Sequence, residues 1–122
     1  MRFLTTRVHA VLDYILGIVL IGLPFLYDSW GDDRTLIWVP MGLGIGIIAY
    51  SLFTDYELSM VRAIPMPAHL VLDAVGGIIL AISPFVFGFA QRTWLPYVVV
   101  GLFEVGTSLV TRTQPEPAGL AG

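Results

Sequence analysis

The chain has 122 residues, 57% hydrophobic and 12% charged, and its six arginines, no lysine and nine carboxylates give a net charge of −3. A soluble domain averages about 25% charged residues, and one this small hides only about 60–70% of what its unfolded chain exposes, so much of the surface is expected to face lipid. No basic stripe exists for nucleic acid, and the absence of cysteine removes disulfides, thiolate nucleophiles, iron–sulfur clusters and cysteine-bound zinc.

In chain order, the first apolar stretch runs from Val8 to Tyr27. Its basic start resembles a signal sequence, but the run is too long, carries His9 and Asp13, and lacks a small-x-small cleavage site. It reads as a retained membrane helix. An acidic loop follows, from Asp28 to Arg34. Asp28, Asp32 and Asp33 there lack the spacing and terminal Glu of a calcium loop and read as solvated.

The second stretch, Leu36 to Phe53, contains GLGIG; its Gly42 and Gly46, with Ala49, form a small-residue face for packing inside the chain or between copies. The segment Thr54 to Pro67 is expected to form a short interfacial helix ending before Pro65. Ala68 to Ala90 and Trp94 to Val110 are the third and fourth stretches, joined by Gln91 to Thr93. Each stretch approaches the ~20 residues that cross a bilayer, and backbone in lipid must satisfy itself, so each is a helix. Short loops make two antiparallel hairpins. The tail 113–122, rich in Pro, Gly and Ala, is expected to be disordered.

The hairpins are a repeat. HAVLDYILGIVLIGLPF from His9 and HLVLDAVGGIILAISPF from His69 share nine of seventeen residues at an offset of 60. YSLFT from Tyr50 lies over TSLVT from Thr107 at an offset of 57. Repeat one spans 1–57 and repeat two 61–112 of a single all-α membrane domain, residues 1–112. Two helices per unit give both copies one orientation, hence a pseudo-twofold axis along the membrane normal. Arg2, Arg7, Arg62 and Arg112 fall on one side and Arg34 and Arg92 on the other, which puts both termini in the cytoplasm. Trp30, Trp38, Trp94 and Tyr97 cluster at the opposite face as an aromatic belt.

Two hairpins with a proline motif near the outer end of each first helix, Leu23-Pro24-Phe25 and Ser83-Pro84-Phe85, resemble the SPW-repeat family of small bacterial membrane proteins. TRVHAVLDY from Thr6 and LFTDYELSMVRAIPM from Leu52 are similar to stretches of its two-repeat members. The resemblance implies architecture only; it brings no activity and no catalytic residues, and the setting expected for the chain is the bacterial cytoplasmic membrane. Pro24 and Pro84 are expected to kink or end their helices.

At about 100° per residue, His9, Asp13, Gly17, Leu20 and Pro24 share one narrow face, as do His69, Asp73, Gly77, Leu80 and Pro84. The axis makes each face the natural partner of its copy, with Gly17 and Gly77 permitting close approach. The two His-x-x-x-Asp pairs then converge. Hydrogen bonds within or across the helices are the leading reading, because a bonded imidazole and carboxylate cost far less in lipid than either alone. A zinc, iron or manganese site on His9, Asp13, His69 and Asp73 is the sharper alternative, and bis-histidine haem a distant third. On the fourth helix Tyr97, Gly101, Glu104, Thr107, Ser108 and Thr111 form a polar stripe. Glu104, whose repeat counterpart is Ile47, is expected either to bond a hydroxyl of that stripe or to join the His/Asp residues in proton handling.

Nothing resembles a nucleophile–base pair, a phosphate loop or a nucleotide fingerprint. The sequence therefore predicts no enzyme and no obligate cofactor. It predicts a structural, accessory or assembly protein whose partners are the bilayer and copies of itself or a larger complex. The alternative is a proton- or metal-handling transporter or sensor.

Overall fold

The computed structural model describes residues 2–26 and 34–114. The acidic loop with Asp28, Trp30, Asp32 and Asp33, and most of the tail, lie outside them. Four α-helices carry the described residues: α1 Thr6–Gly22, α2 Thr35–Ser51, α3 Met66–Val86 and α4 Leu95–Val110. A 3-10 turn, Leu23–Leu26, extends α1. The spans Thr6–Leu26 and Met66–Val86, 21 residues each, are long and apolar enough to cross a membrane; α2 and α4 are shorter apolar helices. Isoleucine, leucine and phenylalanine side chains such as Ile18, Ile78, Leu102 and Leu109 point outward, while the polar residues turn in.

The inward positions repeat with the sequence. On α1 they are Thr6, His9, Ala10, Asp13, Gly17 and Leu20; on α3 they are Met66, His69, Leu70, Asp73, Gly77 and Leu80. On α2, Pro40, Gly44, Ile47 and Ser51 are buried, and on α4 their counterparts Tyr97, Gly101, Glu104 and Ser108. Each hairpin closes at a pair of glycines. A Cβ on Gly44 would lie 2.6 Å from the Gly17 oxygen, and one on Gly77 would lie 2.6 Å from the Gly101 oxygen. The expectation that Gly17 and Gly77 pack on each other across the axis is corrected. They seat the second helix of their own hairpin, where backbones approach most closely. Of the two uses expected for Gly42 and Gly46, packing inside the chain is not seen: among the described residues nothing lies within 4 Å of a Cβ at either. The packing glycine of α2 is Gly44, on the opposite side of the GLGIG run.

The repeats are then laced together at one end. Ile64 N–H donates to Phe53 O (2.7 Å) and Asp55 N–H to Ile64 O (2.7 Å). At the symmetric place Leu4 N–H donates to Val110 O (2.9 Å) and Arg112 N–H to Leu4 O (2.9 Å). The strand-like residue before each first helix thus bridges to the end of the other repeat's second helix. Arg2 reinforces one bridge by donating to the Ser108 and Thr111 oxygens, both at 2.8 Å.

The linker holds turns in place of the expected interfacial helix. Met60 and Val61 donate to Leu52 O, at 2.8 and 3.0 Å, and Ala63 and Ile64 donate to Phe53 O. Carbonyls just past the α2 C-terminus have no helical partner, and meeting them holds these linker amides away from a helix of their own.

The prolines are absorbed in different ways, Pro24 at the end of its α-helix as expected. Pro84 does not end α3, which runs to Val86 and stops as the chain reaches Gly88 in the left-handed region (φ +80°), a conformation glycine adopts without steric cost. Pro24 lies where α1 tightens into its 3-10 turn. A third proline, Pro40, sits inside α2. Lacking an N–H, it leaves the Leu36 carbonyl without its helical donor, and Tyr97 Oη supplies one at 2.7 Å. Tyr97 is fully buried and packs on Phe89, ring centroids 5.1 Å apart, so it belongs to the core and not to the aromatic belt. Trp38 and Trp94 are exposed. Because Tyr97 occupies the repeat position of Pro40, one copy supplies the donor that the other copy lacks. Tyr97→Phe is expected to cost about 1–3 kcal/mol, the desolvation penalty of an orphaned carbonyl. Thermal unfolding in detergent checks it, and in a Pro40→Ala background, where the helix regains its own N–H, the cost should shrink.

Candidate functional site: a buried square of two histidines and two aspartates

His9 and Asp13 stand one turn apart on α1, and His69 and Asp73 one turn apart on α3, so each helix aims one imidazole and one carboxylate at the same spot. The short contacts cross between repeats. His9 Nε2 lies 2.7 Å from Asp73 Oδ2, and His69 Nε2 lies 2.8 Å from Asp13 Oδ2. The contacts within each helix are longer, 3.1 Å in both cases. All four residues are buried, the most accessible being Asp13 at 3%. The imidazoles meet edge to face with centroids 5.5 Å apart.

The far sides of the rings are held as well. His9 Nδ1 is 2.7 Å from Thr111 Oγ1, and His69 Nδ1 is 2.7 Å from Thr54 Oγ1. Each threonine spends its single hydroxyl proton on the carbonyl one turn back, Thr54 on Tyr50 O (2.7 Å) and Thr111 on Thr107 O (2.5 Å). A carbonyl only accepts, so each threonine oxygen must accept from Nδ1, and the hydrogen-bond network assigns Nδ1–H to both rings. Each Nε2 faces carboxylate oxygens, and each short Nε2–O contact must contain a proton. Whether it is drawn on nitrogen or oxygen, the square of two rings, two carboxyls and two shared protons sums to zero charge.

Two tyrosines complete the carboxylates. Tyr50 Oη donates to Asp73 Oδ1, and Tyr56 Oη donates to Asp13 Oδ2 at 3.0 Å. Burial, with the adjacent Asp13 carboxylate, holds the linker phenol of Tyr56 far above its usual range, so it remains a donor. Thr54 and Thr111 were legible as the final threonines of the matched YSLFT and TSLVT runs. Tyr50 and Tyr56 carried no such signal, since repeat two has threonine at both places.

Glu104 stands apart from the square. It is buried, and among the described residues neither carboxyl oxygen has a hydrogen-bond partner. The expectation that a hydroxyl of its own stripe meets it is corrected. Thr107 Oγ1 donates to the Glu104 backbone oxygen (3.0 Å) and Ser108 Oγ to Val105 O (2.6 Å), the back-bonding that Ser and Thr adopt in helix interiors.

A family model, the SPW repeat domain, matches residues 7–111. The chain belongs to the SPW repeat family. Membership and the apolar helices together make it a membrane protein. No curated protein and no solved structure matches the chain. In this SPW-repeat chain the motif's parts can be given physical roles. Pro84 leaves the Leu80 carbonyl without a helical donor, and Ser83 Oγ donates to that carbonyl at 2.7 Å. Serine before proline thus lets the helix continue. Where repeat one has Leu23 there is no hydroxyl to give, and the backbone turns 3-10. The aromatic position, Phe25 and Phe85, faces outward in both copies.

Proposed function

We propose that this SPW-repeat protein is a four-span component of the bacterial cytoplasmic membrane, both termini in the cytoplasm and the repeat axis along the membrane normal. It acts by packing and assembly, with itself or a larger complex, and not by catalysis. The observation that carries this reading is the closure of the square: both imidazoles and both carboxylates are satisfied by the opposite repeat, as a junction requires. The exposed face of α2 around Gly42, Gly46 and Ala49 supplies a small-residue surface free for another helix. Arginines concentrated where the chain ends and the linker meet support the orientation.

A second reading, proton handling, has Glu104 behind it, since an unpartnered carboxyl inside a membrane helix is a functional candidate by default. Proteoliposomes loaded with a pH-sensitive dye separate the two. The assembly reading expects no protein-dependent proton flux from wild type or Glu104→Gln, a reduced assembled fraction for Asp73→Asn by native mass spectrometry, and a gain of about 1–3 kcal/mol for Glu104→Leu, which removes two unsatisfied buried oxygens. A wild-type flux that disappears in folded Glu104→Gln overturns it.

A further inference from the structure

We propose that the square is a metal site: His9 Nε2, His69 Nε2 and one oxygen each from Asp13 and Asp73 bind a single divalent transition-metal ion of the zinc class. The inference rests on the junction reading of the same residues and adds what can occupy the junction.

Geometry comes first. One ligand atom from each of the four residues lies within 4.8 Å of all the others. Metal–nitrogen and metal–oxygen bonds of about 2.0–2.2 Å give a tetrahedron with edges of roughly 3.4 Å. Asp73 Oδ2 lies 2.7 Å from His9 Nε2 and 3.1 Å from His69 Nε2, and Asp13 Oδ2 lies 2.8 Å from His69 Nε2, while His9 Nε2 meets the other Asp13 oxygen at 3.1 Å. Moving these atoms apart by roughly 0.3–0.7 Å, to the edge length that such metal bonds set, makes room for the ion. The ligands come in i, i+4 pairs from two helices, so the site is complete with no loop contribution.

The surroundings are those a metal site needs. A ligating histidine is normally oriented by a hydrogen bond from its other nitrogen. Thr111 and Thr54 do this for His9 and His69, and because their own protons are committed to backbone carbonyls they fix Nδ1 as the N–H and leave Nε2 for the ion. Tyr50 and Tyr56 hold the carboxylates in the same way.

Charge selects the ion. Two shared protons leave as one M²⁺ enters, so the buried site stays neutral before and after; with both protons gone and all four groups ligating, a monovalent or trivalent ion would leave a net charge in a low-dielectric interior. Two imidazole nitrogens disfavour Mg²⁺ and Ca²⁺, which take oxygen ligands, and a chain without cysteine gives Cu(I) no thiolate.

The test uses the full-length protein in detergent, stripped with chelator and titrated with Co²⁺ and Zn²⁺. One ion per chain is expected, with tetrahedral d–d absorption for Co²⁺, a higher melting temperature, and two protons released per ion, read calorimetrically in buffers of different ionisation enthalpy. His9→Ala should abolish the d–d band. Thr54→Val with Thr111→Val keeps all four ligands and should weaken binding about 10–100-fold, which covers the case in which His9→Ala fails to fold. No binding by a wild-type protein that melts cooperatively overturns the metal site, as does binding unchanged by the threonine pair. The junction reading is judged separately, by the effect of Asp73→Ala on the metal-free protein: a large loss of stability beside absent metal binding leaves the clamp intact, and negligible loss beside tight binding removes the clamp alone.

Discussion

Asp73→Ala, measured in the metal-free protein, is expected to lower stability by roughly 3–5 kcal/mol, the range seen when one member of a buried charged or strongly hydrogen-bonded pair is removed. The magnitude follows from what the substitution abandons. Asp73 receives His9 Nε2 at 2.7 Å, His69 Nε2 at 3.1 Å and the Tyr50 hydroxyl. Removal of the carboxylate leaves the His9 ring and the Tyr50 hydroxyl without their partner, and His69 without its neighbouring charge, in a place where Asp73 shows no accessible surface. His9→Ala should cost less. Thr111 keeps its bond to Thr107 O, and Asp73 keeps Tyr50 and His69. The double variant His9→Leu, Asp73→Leu should cost less than the sum of the two single Leu variants, with a coupling of about 1–3 kcal/mol, because filling the space with apolar atoms removes the unpaired groups together. Equilibrium unfolding of the four proteins of this cycle measures the coupling, and additive losses would show that the residues act apart.

The same cycle explains why the residues come twice. A single histidine and aspartate on one helix would satisfy each other only through the longer 3.1 Å contacts. Duplication places a second pair opposite, and the 2.7 and 2.8 Å contacts are all between repeats. The energetic benefit of each pair is available only when both hairpins are present. That ties assembly of the bundle to meeting of the halves.

What the sequence made legible was the face of each helix. At 100° per residue a spacing of three or four fixes which side chains share a side, and the buried sets of α1 and α3 are the ones that periodicity groups together. What it hid was each face's partner, since that depends on how a helix is rotated against its neighbours. Gly42 and Gly46 form a GxxxG that local pattern singles out, yet Gly44 makes the contact. The repeat held the missing information: at the offset of 57, Gly44 lies over Gly101. The linker misled for another reason, because its amides are drawn to carbonyls at the end of α2, a long-range demand that local propensity does not register. Tyr97 looked interfacial by company with tryptophans, but its hydroxyl answers a proline 57 residues earlier.

Gly101→Ala is expected to disrupt the second hairpin, and the asymmetry with its neighbours makes the test sharp. A Cβ there would run into the Gly77 oxygen, with the Ala81 nitrogen at 2.7 Å and Ala81 Cβ at 2.9 Å. Two of these are backbone atoms of α3 and cannot rotate away, so α4 must lift from α3 along its length. Overpacking of this kind costs typically about 1–3 kcal/mol, and here it also drags Glu104 and Ser108, which face the same seam one and two turns on. Gly42→Ala and Gly46→Ala meet open space within the chain, and Ala is the better helix former by up to about 1 kcal/mol. These two should be neutral or stabilising for the fold of a single chain. If they nevertheless lower the assembled fraction in native mass spectrometry while leaving thermal unfolding of the chain unchanged, the exposed face of α2 is where copies or partners meet. If Gly101→Ala melts like wild type, the close glycine seam is not what holds α3 to α4, and the weight shifts to the square and the bridges at its end.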